Sequence, residues 1–284
     1  MSNVLFRFLA RLLHYGPEKT AARPLVCPEP PVVTPSPSVT NSIGMKLILV
    51  LPGEFAMGSP DSDSMGCDGE RPAHRVRITK PFYLGAYPVT QAEYERVMGS
   101  NPSDLAVSEF GSPALRALII SPNKPVNGVS WEDAHDFCRR LSALPGEVGR
   151  AYCLPTEAQW EYACRAGSTT RWCFGDDDTQ LGDYAWFSEN SGMTQSVGQK
   201  RCNRWALYDM HGNVWEWCAD LYAPYAMCAE DAPQVAETGS GRMCRGGGAN
   251  FDAKSCRSAV RRSITKPGYH DVTLGFRVAM TVAE

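Results

Sequence analysis

Apolar and polar residues alternate along His74-Arg75-Val76-Arg77-Ile78, which predicts a strand with one buried and one wet face. Lys46–Val50 reads as a short strand before it, Leu51–Glu54 as a turn, and Phe55–Ser59 and Phe82–Gly85 as continuations of the β pattern. The spacing then changes. Thr90 with Glu93 three residues on forms a capping box, opening a helix that runs to about Met98 and ends at Gly99. Ser130 with Asp133 repeats the device before Ala134, Phe137, Cys138 and Leu141. Thr156 precedes a third helix carrying Trp160, Tyr162 and Ala163, ended around Gly167. Asp133, Glu157 and Glu161 lie near helix starts, where negative charge is favoured. From Gly175 onward the helical period fades into loops, with strands expected at Val214–Trp217, Met243–Arg245 and Leu274–Met280. Trp215 and Trp217 alternate with Val214 and Glu216, as on a strand with one aromatic face. The pattern is α+β with little regular secondary structure.

Residues 1–40 differ from the rest. Val4–Leu13 can form a short amphipathic helix with Arg7 and Arg11 on one side, suited to docking or to a membrane surface. Pro24–Thr40 is rich in Pro, Ser and Val and reads as an extended linker. This predicts a tail and linker over 1–40 and one folded domain over 41–284. Ser59–Glu70 and the Asp176-Asp177-Asp178 run read as exposed, solvated loops.

Composition narrows the classes. The chain has 284 residues, 43% hydrophobic and 21% charged, enough for one large domain. A net charge of −3 with scattered Lys and Arg gives no nucleic-acid footprint. No apolar run approaches the roughly 18 residues of a membrane span. The 25 Gly and 21 Pro imply many turns around an irregular core. The 11 cysteines include no C-x-x-C pair, so they read as buried, reduced thiols with one or two disulfides as the alternative. No secretory leader precedes them, which favours a cytoplasmic setting. The five histidines show no H-x-x-x-H spacing, and neither G-x-S-x-G nor a phosphate-binding loop is present.

A collinear set of motifs goes further. These are Pro52–Ser59, Pro88–Tyr94, Pro125–Trp131, Leu154–Ala163, Leu207–Trp217, Gly246–Arg257 and Leu274–Val278. In order and spacing they resemble the formylglycine-generating enzyme, or sulfatase-modifying factor, family from Asn41 onward. The resemblance implies a large variant of the C-type lectin fold. In the family's oxidases two cysteines five residues apart hold copper(I), and with oxygen convert a substrate cysteine to formylglycine. Here Cys256 takes the second position, Phe251 the first, and Gly248 replaces a serine lining the site. A single thiolate does not suit tight two-coordinate copper binding, so copper is not expected.

Cys256 itself reads either as a reactive, catalytic thiol favoured by Lys254 and Arg257, or as structural. Family members lacking the first active-site cysteine often carry cysteines in the contexts of Cys164 and Cys256, which implies a disulfide between these two. Asn213 and Glu216 match positions that help bind a structural calcium in the family. A turn-stabilising Asn and a hydrogen-bonded Glu account for the same residues without metal. Arg277 is expected to pair with a buried carboxylate, with Glu157 and Glu161 as candidates. A three-histidine iron site, as in the related ergothioneine-synthesis enzymes, would need an extra helical domain for which this chain has no room.

Three readings follow. In the first, the domain keeps a groove for a peptide or protein ligand, lined by Trp215, Trp217, Phe251 and Arg257. In the second, a true oxidase pairs Cys256 with Cys244 or Cys228. In the third, Asn250–Asp271 is a substitutable surface on a ligand-display protein.

Overall fold

In the computed structural model, which describes residues 37–103, 118–225, 231–232, 239, 241–266 and 268–282, the alternating segments become short strands. They are β1 (Ser38–Thr40), β2 (Lys46–Val50), β3 (Gly53–Met57), β4 (His74–Ile78) and β5 (Phe82–Gly85). Helices α1 (Gln91–Met98) and α2 (Trp131–Ser142) follow, then β6 (Arg150–Cys153), α3 (Glu157–Arg165) and the single turn α4 (Leu181–Tyr184). The remainder is β7 (Trp215–Leu221), β8 (Asp231–Ala232), β9 (Arg242–Arg245), β10 (Arg262–Ile264), β11 (Leu274–Gly275) and β12 (Ala279–Val282).

The helix starts obey their capping signals. Thr90, Ser130 and Thr156 each accept from the third N–H of their helix, and Glu93, Asp133 and Gln159 return the bond to the cap backbone. Gly99, at φ 81°, closes α1. The αL residue closing α3 is Ala166, at φ 45°, one position before the expected glycine.

The strands form three sheets, ordered β1-β2-β5-β12-β6, β10-β9-β7-β11 and β3-β4-β8. In β4, Val76 and Ile78 are buried while Arg75 and Arg77 are exposed, as the alternation requires. The first sheet, α1, α2 and the aromatic face of β7 enclose one core around Phe137, Phe276, Trp215 and Trp217. A second core around Trp160 and Met243 lies between α3 and both larger sheets.

β1 pairs with β2 through Val39 and Leu47. Two expectations need correction. Leu274–Met280 is two strands: β11 lies parallel on β7, and β12 joins the other sheet between β5 and β6. Ser59–Glu70 is not simply exposed, because Ser59, Asp63 and Glu70 are buried against a guanidinium described below. The Asp176–Asp178 run is exposed, as expected. The Val4–Leu13 segment and most of the Pro-rich linker lie outside the described residues. Among the described residues no helix is long and apolar enough to cross a membrane.

Candidate functional site

The segment after β9 begins with two glycines held at φ 100° and 79°, Gly246 and Gly247, a backbone that L side chains resist. A Cβ on Gly247 would lie 2.6 Å from the Cys256 sulfur, so only glycine lets that thiol tuck beneath the loop. Cys256 ends a 3-10 turn, Ala253–Cys256, whose cap Asp252 accepts from the Ser255 N–H. The thiol is fully buried among Trp172, Leu181, Ala185 and Phe187. Burial pushes it up to about 12, so without a metal it is protonated at neutral pH and a poor nucleophile.

At the position where the resemblance expects the other thiol, the Phe251 ring stands edge-on to Trp215, centroids 5.4 Å apart at 88°. A Cβ on Gly248 would meet Phe251 at 3.2 Å and Trp215 at 3.4 Å. The Arg262 guanidinium covers both rings at 5.3 and 5.5 Å. The Trp215 indole N–H is buried there with no hydrogen-bond partner among the described residues.

Only Phe251 of the four expected groove residues reaches solvent. Trp215 and Trp217 are core residues, 3% and 1% exposed, and the Trp217 indole donates to the Val129 carbonyl at 3.0 Å. Arg257 is buried and turns away from this face. It donates to both Glu70 carboxylate oxygens at 2.9 and 2.8 Å and lies 3.5 Å from Asp63. The open face instead adds residues that sequence reasoning missed. Arg242 lies 3.5 Å over the Trp131 ring, which stacks on His135 at 5.1 Å. Neither Arg242 nor Arg262 makes a salt bridge among the described residues; Arg242 lies over half-buried Trp131, and Arg262 over buried Trp215 and half-buried Phe251. The Ser130 cap marked Trp131 as the first helical residue, but nothing local showed that Arg242 would cover it.

The donors expected for metal are committed elsewhere. Arg277 donates to both Glu216 oxygens at 2.6 Å, and the Trp160 indole donates to Glu216 Oε2 at 2.6 Å. The Asn213 side chain exchanges hydrogen bonds with the Gln195 backbone and donates to Asp209. This pair does not fit a calcium site without breaking a buried ion pair. Among the described residues no three His, Cys, Asp or Glu side chains converge. One protonated thiol beside a phenyl ring likewise does not fit two-thiolate copper(I).

The partner of Arg277 is therefore Glu216, not Glu157 or Glu161. β11 runs parallel to β7, with Gly275 opposite Glu216, and this register brings the following arginine alongside. Glu157 and Glu161 instead hold Arg245, which has no exposure, and also Arg261 and Arg165 respectively.

Cys164 and Cys256 are both free thiols. His211 lies between their surroundings. Its Nδ1–H donates to the Cys256 carbonyl at 2.8 Å and its Nε2 accepts from the Cys173 N–H at 3.2 Å. Burial lowers this imidazole to about 4, so it is neutral, which that pattern requires. The Cys164 sulfur is 3.9 Å from each ring nitrogen and 3.6 Å from the Ser258 hydroxyl. Cys244 packs in the core with Trp217 rather than in the Cys256 cluster, and Cys228 lies outside the described residues.

Known proteins are similar to this chain in sequence and fold. Residues 34–282 match the family model for the sulfatase-modifying factor enzyme 1-like domain. A formylglycine-generating enzyme of Streptomyces coelicolor is 30% identical over 80% of this chain and 86% of its own. Among solved structures, Treponema denticola variable protein 1 superimposes with a TM-score of 0.70 at 28% identity, covering 86% of this chain and 98% of that one. PvdO from Pseudomonas aeruginosa gives 0.74 at 25% identity, covering 88% and 99%.

Proposed function

Since this chain belongs to the sulfatase-modifying factor family, that of the formylglycine-generating enzymes, we propose that it is a binding or accessory member whose copper–cysteine site is incomplete. One observation carries this reading. At the position of the first thiol stands Phe251, packed on Trp215, while Cys256 is fully buried and protonated. Copper(I) held by thiolates needs two soft, deprotonated sulfurs within reach. Phe251 supplies no sulfur, and Cys256 alone supplies only one.

The face this leaves suits a peptide or protein ligand. Arg242 lies on Trp131 and Arg262 on Phe251 without carboxylate partners among the described residues, so charge and half-exposed aromatic area adjoin. Phe251, Arg262 and Tyr269 also fall within Asn250–Asp271, the stretch read as a display surface, and the likeness to a Treponema variable protein favours that form of the binding role.

The rival is an oxidase, favoured by the 30% identity to the Streptomyces enzyme. One assay separates them. The purified protein is incubated with copper(I), oxygen and a peptide carrying Cys-x-Pro-x-Arg, and the product is weighed by mass spectrometry. We expect unmodified peptide and no stoichiometric copper(I) complex. Aldehyde formation above a Cys256→Ser control refutes the binding role and establishes the enzyme.

A further inference from the structure

Arg257, the residue after Cys256, helps to line a cavity of about 220 Å³ between the Gly58–Asp63 loop and Thr169–Arg171. That volume holds roughly seven waters, room for a small organic ion rather than a bare atom. Its charged walls are three guanidiniums, Arg165, Arg171 and Arg257, and two carboxylates, Asp63 and Asp176.

The carboxylates are already engaged. Asp63 Oδ1 accepts from the Met65 N–H and from Arg171 Nε, and its other oxygen faces Arg257. Asp176, exposed at the rim, accepts from the Arg171 backbone N–H. Arg165 ends a buried chain in which three arginines, 261, 245 and 165, share the carboxylates of Glu157 and Glu161. Asp220, on the Glu157 N–H, lies at the opposite end of that chain.

The guanidinium of Arg171 is different. Only its Nε is spent, on Asp63, and its two terminal nitrogens have no protein partner among the described residues. A guanidinium edge with both terminal nitrogens open is a fork for two oxygens of one anion. The hydroxyls of Ser62 and Thr169, both exposed, stand among the lining residues.

We propose that this cavity binds the oxyanion group of a small ligand, its two oxygens on the terminal nitrogens of Arg171 and its charge facing Arg165 and Arg257. The site is separate from the Phe251 face and does not depend on the role proposed for it. A planar carboxylate and a tetrahedral phosphate or sulfate share this chemistry.

Calorimetric titrations of the full chain with acetate, succinate, phosphate and sulfate, at constant ionic strength in chloride, distinguish the sources. Saturable one-site binding of either class, over chloride, is the expected result. Ser62→Glu sets a carboxylate at the mouth without removing an existing pair, and Arg171→Ala removes the fork. Each is expected to weaken binding at least tenfold, while Lys200→Ala, remote from the cavity, leaves it unchanged. If Arg171→Ala fails to fold, Ser62→Glu decides alone. The absence of saturable binding, or equal affinity in Ser62→Glu, overturns the proposal.

Discussion

Glu216 and Arg277 have no exposure; Arg277 donates to both Glu216 oxygens and to the Gly85 and Tyr208 carbonyls. Removing one partner of such a pair leaves a buried, uncompensated charge, which typically costs about 3–5 kcal/mol. Arg277→Ala should therefore lower the urea midpoint by that equivalent, whereas a change at exposed Arg201 should scarcely move it. An unchanged midpoint would show that water replaces the guanidinium. The need for a carboxylate was legible in the sequence, because an arginine after an apolar pair must find one. Which carboxylate was not legible, since the choice rests on the register of β11 against β7, a long-range fact. Phe251 was the opposite case. A phenyl ring where a thiol belongs could be read directly, while the burial of Trp215, Trp217 and Arg257 could not. Their one-dimensional pattern fits a groove wall as well as a core.

At the level of elements, local chemistry decided what was legible. All three capped helices start where Thr90, Ser130 and Thr156 place them, since a cap needs only residues three apart. Thr156→Ala is expected to cost about 1 kcal/mol by urea unfolding, and Thr156→Ser to restore most of it. The 3-10 turn over Ala253–Cys256 had no such signature, because it depends on Gly247 passing over the sulfur. Gly247→Ala forces a Cβ into that contact from a backbone at φ 79°. We expect a loss of about 1–3 kcal/mol, with Cys256 newly labelled by a thiol reagent under native conditions. If Cys256 stays protected, the turn does not rely on the glycine.

For the molecule as a whole, two buried groups set opposing pH responses. Burial raises Asp209 from 3.8 to about 6, so between these values the folded chain keeps a proton the unfolded chain has lost, and stability falls as pH rises. Burial lowers His211 from 6.5 to about 4, so there the unfolded chain holds the extra proton, and stability grows as pH rises. Each slope is at most about 1.4 kcal/mol per pH unit, and over pH 4–6 they nearly cancel. Asp209→Asn should unmask the histidine, giving a stability that climbs from pH 4 to 6 more steeply than the parent's. Parallel profiles would mean that Asp209 carries no proton in the fold.

The position of the last described strand has a further consequence, for synthesis. β12 is interior to the five-stranded sheet, and β11 belongs to another, so both sheets wait for residues 274–282. A nascent chain still lacking that stretch presents the naked edges of β5 and β6 to its surroundings on the ribosome. Such unpaired edges invite promiscuous pairing, so the interval before translation reaches Val282 is when this polypeptide has most need of a chaperone.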